Sequence, residues 1–111
     1  MAITEIEADE AAARAADGAL VLDVREDDEW AAGHVAESVH IPMGDLGGRL
    51  DELPTDRPIV AVCRTGARSG TVTEALSSRG YDVVNLVGGL QAWVAEGLPL
   101  VADDGHTGSV L

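Results

Sequence analysis

The sequence predicts an α/β domain in which a five-stranded, mainly parallel sheet is covered by helices on both faces. Short apolar runs rich in β-branched residues recur along the chain, as in strands buried on both faces of a parallel sheet. Segments of helical length, one of them rich in alanine, alternate with these runs. The 111 residues suit one such domain with a modest core, and no internal repeat or linker indicates a second domain.

Five strands and five helices are predicted in alternation, separated by glycines and prolines. The strands are expected at residues 3–6, 20–24, 38–41, 59–62 and 83–86. The helices are expected at residues 8–16, 27–32, 46–53, 69–79 and 90–95, with Ser69 as the N-cap of the fourth. The domain would then comprise residues 1–100, and residues 101–111, which are rich in Asp, Gly, Ser and Thr, would form a flexible acidic tail.

Composition argues against several classes of function. The net charge of −13 disfavours binding to nucleic acid or to an anionic membrane surface. No apolar run is long enough to cross a bilayer and residues 1–16 lack the layout of a signal peptide, so a soluble, cytoplasmic protein is expected. One cysteine excludes an internal disulfide, and with three scattered histidines it makes no recognisable metal site; no cofactor is expected. The acidic, lysine-free composition fits either a high-salt cytoplasm or a biased genome.

The only cysteine begins a loop between a predicted strand and a predicted helix, with the sequence Cys63-Arg64-Thr65-Gly66-Ala67-Arg68. Successive backbone N–H groups in such a loop, backed by the free amides of the helix, can hold an anion, and Gly66 allows a positive φ. We call these N–H groups the anion cradle. Helix N-termini and nearby cations lower the pKa of a thiol, which favours a reactive thiolate. Residues 57–73 hold three arginines and no acid, where an even spread of the 20 acids would place roughly three.

Each of these residues also has a structural interpretation. Cysteine is often an inert buried residue, and the two loop arginines could be solvated cations, but the loop position and the lack of nearby acids favour catalysis and anion binding. Asp23 and Arg25, at the carboxyl end of another strand, are expected to support the site by bonding to one another or to the loop backbone. The remaining residues are expected to be structural: His34 in a turn, Trp30 and Trp93 in the core, and Gly88-Gly89 in a turn.

Three stretches, in this order, resemble the signatures of the rhodanese-like sulfurtransferases over about residues 3–100. The first comprises Leu22-Asp23-Val24-Arg25-Glu26, then Glu29-Trp30, Gly33-His34-Val35 and Ile41-Pro42. The second is the active-site loop, Cys63-Arg64-Thr65-Gly66-Ala67-Arg68-Ser69. The third comprises Gly88-Gly89-Leu90, Trp93, Gly97 and Pro99. The resemblance implies a single-domain rhodanese-like fold in which the loop cysteine carries a sulfane sulfur as a persulfide.

The expected reaction is therefore sulfur transfer through Cys63, with residues 64–68 binding the donor and Asp23, Arg25 and Ser69 as support. The donor would be a small sulfur-containing anion such as thiosulfate or a persulfide, and the acceptor a thiol, cyanide or a thioredoxin-like protein. Two alternatives remain. One is a non-catalytic interaction module of the same fold. The other is a phosphatase or arsenate reductase, although the cysteine and Arg68 are separated by four residues and the related oxyanion loops have five.

Overall fold

Five short parallel strands make the sheet in the computed structural model, which describes residues 2–111; Met1, within the predicted domain, lies outside them. The strands are β1 (Glu5–Ile6), β2 (Leu20–Asp23), β3 (Val39–His40), β4 (Ile59–Val62) and β5 (Val83–Leu86). The α-helices are α1 (Ala8–Ala16), α2 (Asp27–Ala32), α3 (Ala67–Ser78) and α4 (Gly89–Ala95). Two 3₁₀ helices, Met43–Gly48 and Leu50–Glu52, lie between β3 and β4. The predicted fold class is confirmed.

Strand β4 lies in the middle of the sheet, whose order is β1-β5-β4-β2-β3. It pairs in parallel with β2 on one side and with β5 on the other. All residues of these three strands are buried, because helices cover both faces and leave no side open to water. The carboxyl end of β4, where parallel sheets place their ligands, therefore lies between the corresponding ends of β2 and β5.

Side chains of β4 alternate between two hydrophobic clusters, as the period of a strand requires. Val60 and Val62 face a cluster built with α1 and α4, which includes Ala8, Ala11, Leu90 and Trp93. Ile59 and Ala61 face a second cluster built with α3 and the first 3₁₀ helix, which includes Leu46, Val72 and Leu76. Cys63 continues the alternation into the second cluster. Cys63 therefore lies on the side of the sheet that α3 covers.

The segment between β3 and β4 differs from its prediction. Strand β3 has two residues rather than the four at 38–41, and the helix expected at 46–53 is replaced by the two 3₁₀ helices. The first of these has the sequence Met-Gly-Asp-Leu-Gly-Gly, and three glycines in six residues penalise an α-helix by roughly 1 kcal/mol each. Short 3₁₀ turns, whose hydrogen bonds span fewer residues, are the available alternative.

Part of the segment 101–111, predicted to be a flexible tail, contacts the domain through Val101, Ser109 and Val110, while most of its residues are exposed. Val101 exchanges two backbone hydrogen bonds with His34, at 2.8 and 2.9 Å, and the Ser109 N–H donates to the Ala32 carbonyl oxygen. Val110 packs against the first hydrophobic cluster. The tail can come this close because Gly33 has no side chain, and a Cβ there would lie 2.5 Å from Ser109 N. Composition alone does not register such backbone pairing.

No helix within residues 2–111 has the length and apolar character needed to cross a bilayer.

Candidate active site

The loop that follows β4 is shorter than the six residues predicted. Gly66 is the N-cap of α3, with φ of +98°, so Ala67 and Arg68 already belong to the first turn of the helix. Gly66 thus takes the positive φ that the absence of a side chain allows. A Cβ at this position would also lie 3.1 Å from the Leu86 carbonyl oxygen. Cys63 is thus joined to a helix N-terminus by three residues.

Ser69 is not the N-cap that the sequence predicts. It lies in the first turn of α3, because Gly66, three residues earlier, takes the left-handed conformation that starts the helix. Its side chain is completely buried. Its hydroxyl donates to Asn85 Oδ1 at 2.6 Å and lies 3.4 Å from Cys63 Sγ. Ser69 therefore contacts the cysteine directly.

Backbone N–H groups surround the sulfur of Cys63, which has no exposed surface. Gly66 N–H donates to Sγ at 3.1 Å, and Ser69 N–H approaches it at 3.5 Å. Burial raises the pKa of the thiol, but the Ser69 hydroxyl and the N–H groups of Ser69, Gly66 and Thr65 together outweigh burial and leave the pKa below its ordinary value. An inert cysteine in apolar surroundings would have a raised pKa instead.

Arg68 is paired with a carboxylate that the sequence places 39 positions away. Its two terminal nitrogens donate to the two oxygens of Glu29, on α2, at 2.7 and 2.8 Å. The hydrogen bond from Arg68 lowers the pKa of Glu29 to about 2, and the pKa of Arg68 is raised. The acid-free window along the chain therefore does not correspond to an acid-free site in space. Arg64, by contrast, is exposed and has no carboxylate partner among residues 2–111.

Asp23 and Arg25 bond to one another, as predicted, and neither has any exposed surface. The Arg25 guanidinium donates to both oxygens of Asp23, at 2.8 to 3.1 Å. It also donates to the carbonyl oxygens of Gly33, at 2.7 Å, and Glu29, at 3.2 Å. These bonds attach both ends of α2 to the end of β2. They consequently hold Glu29 where it meets Arg68.

Helix α4 supports the loop from the other side. Leu90 N–H donates to the Cys63 carbonyl oxygen at 2.8 Å, and Gln91 N–H donates to that of Arg64 at 3.1 Å. The predicted turn at Gly88 and Gly89 is present, with φ of +77° and +62°. A Cβ on Gly89 would overlap the carbonyl groups of Cys63 and Arg64. The glycine pair therefore allows α4 to begin against the loop backbone.

The aromatic residues and histidines contribute to structure. Trp93 is buried, as expected, and donates to the Pro99 carbonyl oxygen at 2.9 Å. Trp30 differs from the expectation, because it is only half-buried; its ring stacks with the rings of His34 and His40 at centroid distances of 3.6 and 4.8 Å. His34 also bonds to the Trp30 carbonyl oxygen, as expected of a turn residue. Within residues 2–111, no group of three or more His, Cys, Asp or Glu side chains could hold a metal ion.

Asn85 is the site residue that the sequence interpretation missed. It lies within β5, is 1% exposed, and bonds to Ser69, to the Gly66 carbonyl oxygen and to Glu5. The signal was available, because Asn85 is a polar residue inside the otherwise apolar run of β5. A buried amide is tolerated only when its polar atoms are paired, which places its partners nearby.

Comparison with known proteins identifies the family of the chain. The chain belongs to the rhodanese-like domain family, whose model matches residues 7–96, and the resemblance drawn from the three motifs is confirmed. It is 39% identical over 106 residues to a sulfurtransferase of Allochromatium vinosum, covering 93% of this chain and 99% of the relative. It is 42% identical over 79 residues to the putative sulfurtransferase YtwF of Bacillus subtilis, covering 71% and 77% of the two chains. The crystal structure of a rhodanese-related protein from Thermoplasma volcanium superposes with a TM-score of 0.86 at 34% identity, covering 90% and 99%.

Proposed function

We propose that this protein is a sulfurtransferase that carries a sulfane sulfur on Cys63 as a persulfide. The observation that carries the proposal is the setting of the sulfur, which lies at a helix N-terminus with Gly66 N–H at 3.1 Å and has a lowered thiol pKa. The sulfurtransferase names of the relatives from Allochromatium vinosum and Bacillus subtilis support it. The donor would be thiosulfate or a persulfide, and the acceptor a thiol, cyanide or a thioredoxin-like protein.

The reaction proceeds in two displacements. The Cys63 thiolate attacks the outer sulfur of thiosulfate, a new S–S bond forms, and sulfite leaves with the electron pair of the broken bond. The persulfide keeps one negative charge, on its outer sulfur, and the anion cradle is suited to stabilise it. An acceptor thiolate or cyanide then attacks the outer sulfur and regenerates the Cys63 thiolate. Once the thiolate has formed, no general base is required.

The loop residues have different proposed roles in binding the donor. Exposed Arg64, Thr65 and Ala67 form the outer surface of the loop, and Arg64 attracts the anionic donor. Gly66 and the first turn of α3 supply N–H groups. Arg68 is neutralised by Glu29, so it shapes the loop more than it attracts anions. Since Cys63 has no exposed surface, the donor sulfur reaches Sγ only when the loop opens.

Asp23, Arg25 and Ser69 act as support. The buried Asp23–Arg25 pair fixes α2 and, through it, the partner of Arg68. The N–H and the hydroxyl oxygen of Ser69 lie 3.5 and 3.4 Å from the sulfur, and the hydroxyl also donates to Asn85 Oδ1 at 2.6 Å. None of these three side chains would contact the donor directly.

The test is the intact mass of the protein after incubation with thiosulfate, with and without subsequent cyanide. We expect one added sulfur on the wild type, removed by cyanide, and none on Cys63→Ser. The serine variant is nearly the same size as the wild type, so it separates chemistry from folding. If the wild type gains no sulfur from thiosulfate and none from glutathione persulfide, the proposal is wrong and a non-catalytic module of this fold becomes the better description. Hydrolysis of a phosphate ester by the wild type would instead favour the phosphatase alternative.

A further inference from the structure

Asn85 has all of its hydrogen-bonding groups engaged inside the sheet. Its Nδ2 donates to the Gly66 carbonyl oxygen at 3.1 Å and to Glu5 Oε2 at 3.0 Å. Both partners can only accept, so the orientation of the amide is fixed and Oδ1 must face Ser69. Since an amide oxygen cannot donate, the 2.6 Å contact between Ser69 Oγ and Asn85 Oδ1 requires the proton of the Ser69 hydroxyl.

That hydroxyl has one proton and two possible acceptors. Asn85 Oδ1 lies 2.6 Å from Ser69 Oγ, and Cys63 Sγ lies 3.4 Å from it. The Ser69 side chain has no exposed surface. While Cys63 is a thiol, its S–H can donate to Ser69 Oγ, and the Ser69 proton stays with Asn85. Once Cys63 ionises, its sulfur becomes an acceptor and competes for the same proton. The two hydrogen bonds donated by Ser69 are therefore mutually exclusive.

We propose that Asn85 is a positioning residue that sets the reactivity of Cys63 by competing with its thiolate for the proton of the Ser69 hydroxyl. The Cys63 thiolate then receives less stabilisation than the same cradle would give it without Asn85. A less stabilised thiolate is a better nucleophile, because nucleophilicity falls as the pKa of the thiol falls.

The persulfide restores the original arrangement, a step that rests on the proposed function. In the persulfide the negative charge sits mainly on the outer sulfur, and Sγ is bonded to two atoms and is a weak acceptor. The Ser69 proton can then return to Asn85. The bond between Asn85 and Ser69 is thus compatible with the thiol and with the persulfide, and is disturbed only in the free thiolate. Asn85 therefore favours the sulfur-loaded protein over the free thiolate.

Charged groups near Cys63 do not supply the same effect. On α3, Arg68 is paired with Glu29 of α2. Arg64 is exposed on the loop. On β1, Glu5 reaches the site only through the amide of Asn85. A substitution at Asn85 therefore removes a neutral acceptor and the two hydrogen bonds that Nδ2 donates, and it leaves the carboxylates and guanidinium groups in the chain.

The test measures the pH profile of Cys63 alkylation by iodoacetamide in a double-mutant cycle of Asn85→Val and Ser69→Ala. Asn85→Val releases the hydroxyl to the thiolate, so we expect the ratio of thiolate to thiol at a given pH to rise about threefold to tenfold and the limiting rate at high pH to fall. In the Ser69→Ala background, Asn85→Val should leave the profile unchanged. Glu5→Gln, which keeps an acceptor for Nδ2 and removes only a charge, is the control and should match the wild type.

Two results would overturn the proposal. One is an equal shift in both backgrounds, which would mean that Asn85 acts by holding the Gly66 carbonyl and the loop rather than through the hydroxyl. The other is an unchanged or reduced ratio of thiolate to thiol in Asn85→Val. If that variant does not fold, Asn85→Ser withdraws the acceptor with a shorter polar side chain and is expected to give the same shift. Alkylation does not depend on sulfur transfer, so a chain that shows the shift but takes up no sulfur would contradict the proposed function alone.

Discussion

Arg68 and Glu29 form a double ion pair, with nitrogen–oxygen distances of 2.7 and 2.8 Å, that joins the first turn of α3 to α2. The Glu29 end is fixed further by the Glu26 N–H, which donates to Oε1 at 3.1 Å, and by Arg25, which holds the Glu29 carbonyl oxygen. The loop that contains Cys63 is therefore supported by residues that precede it by more than thirty positions. The net charge near Cys63 therefore depends on the Arg68–Glu29 pair as well as on the residues of the loop.

The first prediction concerns how Glu29 makes the free energy of unfolding depend on pH. The pKa of Glu29 is lowered from 4.5 to about 2, so its contribution is fully present above pH 4.5 and is lost as the pH falls towards 2. At pH 7 we expect Glu29→Gln to lower the free energy of unfolding by about 1–2 kcal/mol, allowing for screening by solvent. Urea unfolding at pH 7 and at pH 2.5 would show the difference between the two proteins shrink in acid. Asp28→Asn, at an exposed position of the same helix, is the control. An undiminished difference at pH 2.5 would contradict the assignment.

The second prediction separates the two loop arginines. Arg68→Ala leaves the Glu29 carboxylate without its partner beside the site, so we expect the KM for thiosulfate to rise about tenfold, corresponding to about 1.4 kcal/mol. Adding Glu29→Gln to that variant should recover most of the loss, because the unpaired carboxylate is then gone. Arg64→Ala should also raise the KM, without recovery by Glu29→Gln. Steady-state kinetics on the five proteins, wild type included, tests this; equal behaviour of the two arginines would show that the ion pair does not decide donor binding.

The third prediction concerns the thiol itself. The pKa of Cys63 is lowered, because hydrogen bonds to Ser69, Gly66 and Thr65 outweigh the opposing effect of burial, and its thiolate therefore forms at a lower pH in the folded protein than in the unfolded chain. The rate of iodoacetamide alkylation should rise with pH and level off above the pKa of the thiol. We expect the midpoint of this rise to move to higher pH in denaturant. A folded midpoint equal to or above the denatured one would be incompatible with the described cradle.

The fourth prediction tests the approach of α4 to the loop. Gly89→Ala would place a methyl group against the carbonyl groups of Cys63 and Arg64 at a position with φ of +62°. We expect the free energy of unfolding to fall by at least about 2 kcal/mol, from strain and backbone displacement together. Gly47→Ala is the matched control, because a Cβ at Gly47 meets nothing within 4 Å. Urea denaturation of both variants gives the comparison, and similar losses for the two would remove the packing argument.

Patterns local in the sequence predicted most of the fold. The runs at β2, β4 and β5 and the alanine-rich α1 were placed correctly because apolar spacing and propensity act over a few residues. The helix start was misplaced by preferring Ser69 as the cap, although the loop required the positive φ that Gly66 supplies. This error concealed the contact of Ser69 with Cys63, which forms only because the residue is inside the first turn.

Contacts between distant segments were not predictable in the same way. Which carboxylate meets Arg68, and which strand residue meets Ser69, depends on the order of strands in the sheet. A window of sequence free of acids carries no information about Glu29, which arrives from another helix. The packing of the tail against Gly33 is likewise a matter of backbone fit rather than of composition.

The central place of β4 has a consequence for how the protein opens. Strand β4 pairs with β2 on one side and with β5 on the other. The segment that follows it is held by Glu29, which pairs with Arg68, and by Asn85, which bonds to Ser69. The edge strands β1 and β3, of two residues each, can fray without disturbing β4, whereas β4 itself is lost only when the middle of the sheet separates. The amide hydrogens of β4 should therefore exchange with solvent as slowly as the most protected ones in the protein, whereas that of Gly66 should exchange sooner, because the proposed access of the donor requires the loop to open. Activity should disappear together with the fold rather than ahead of it.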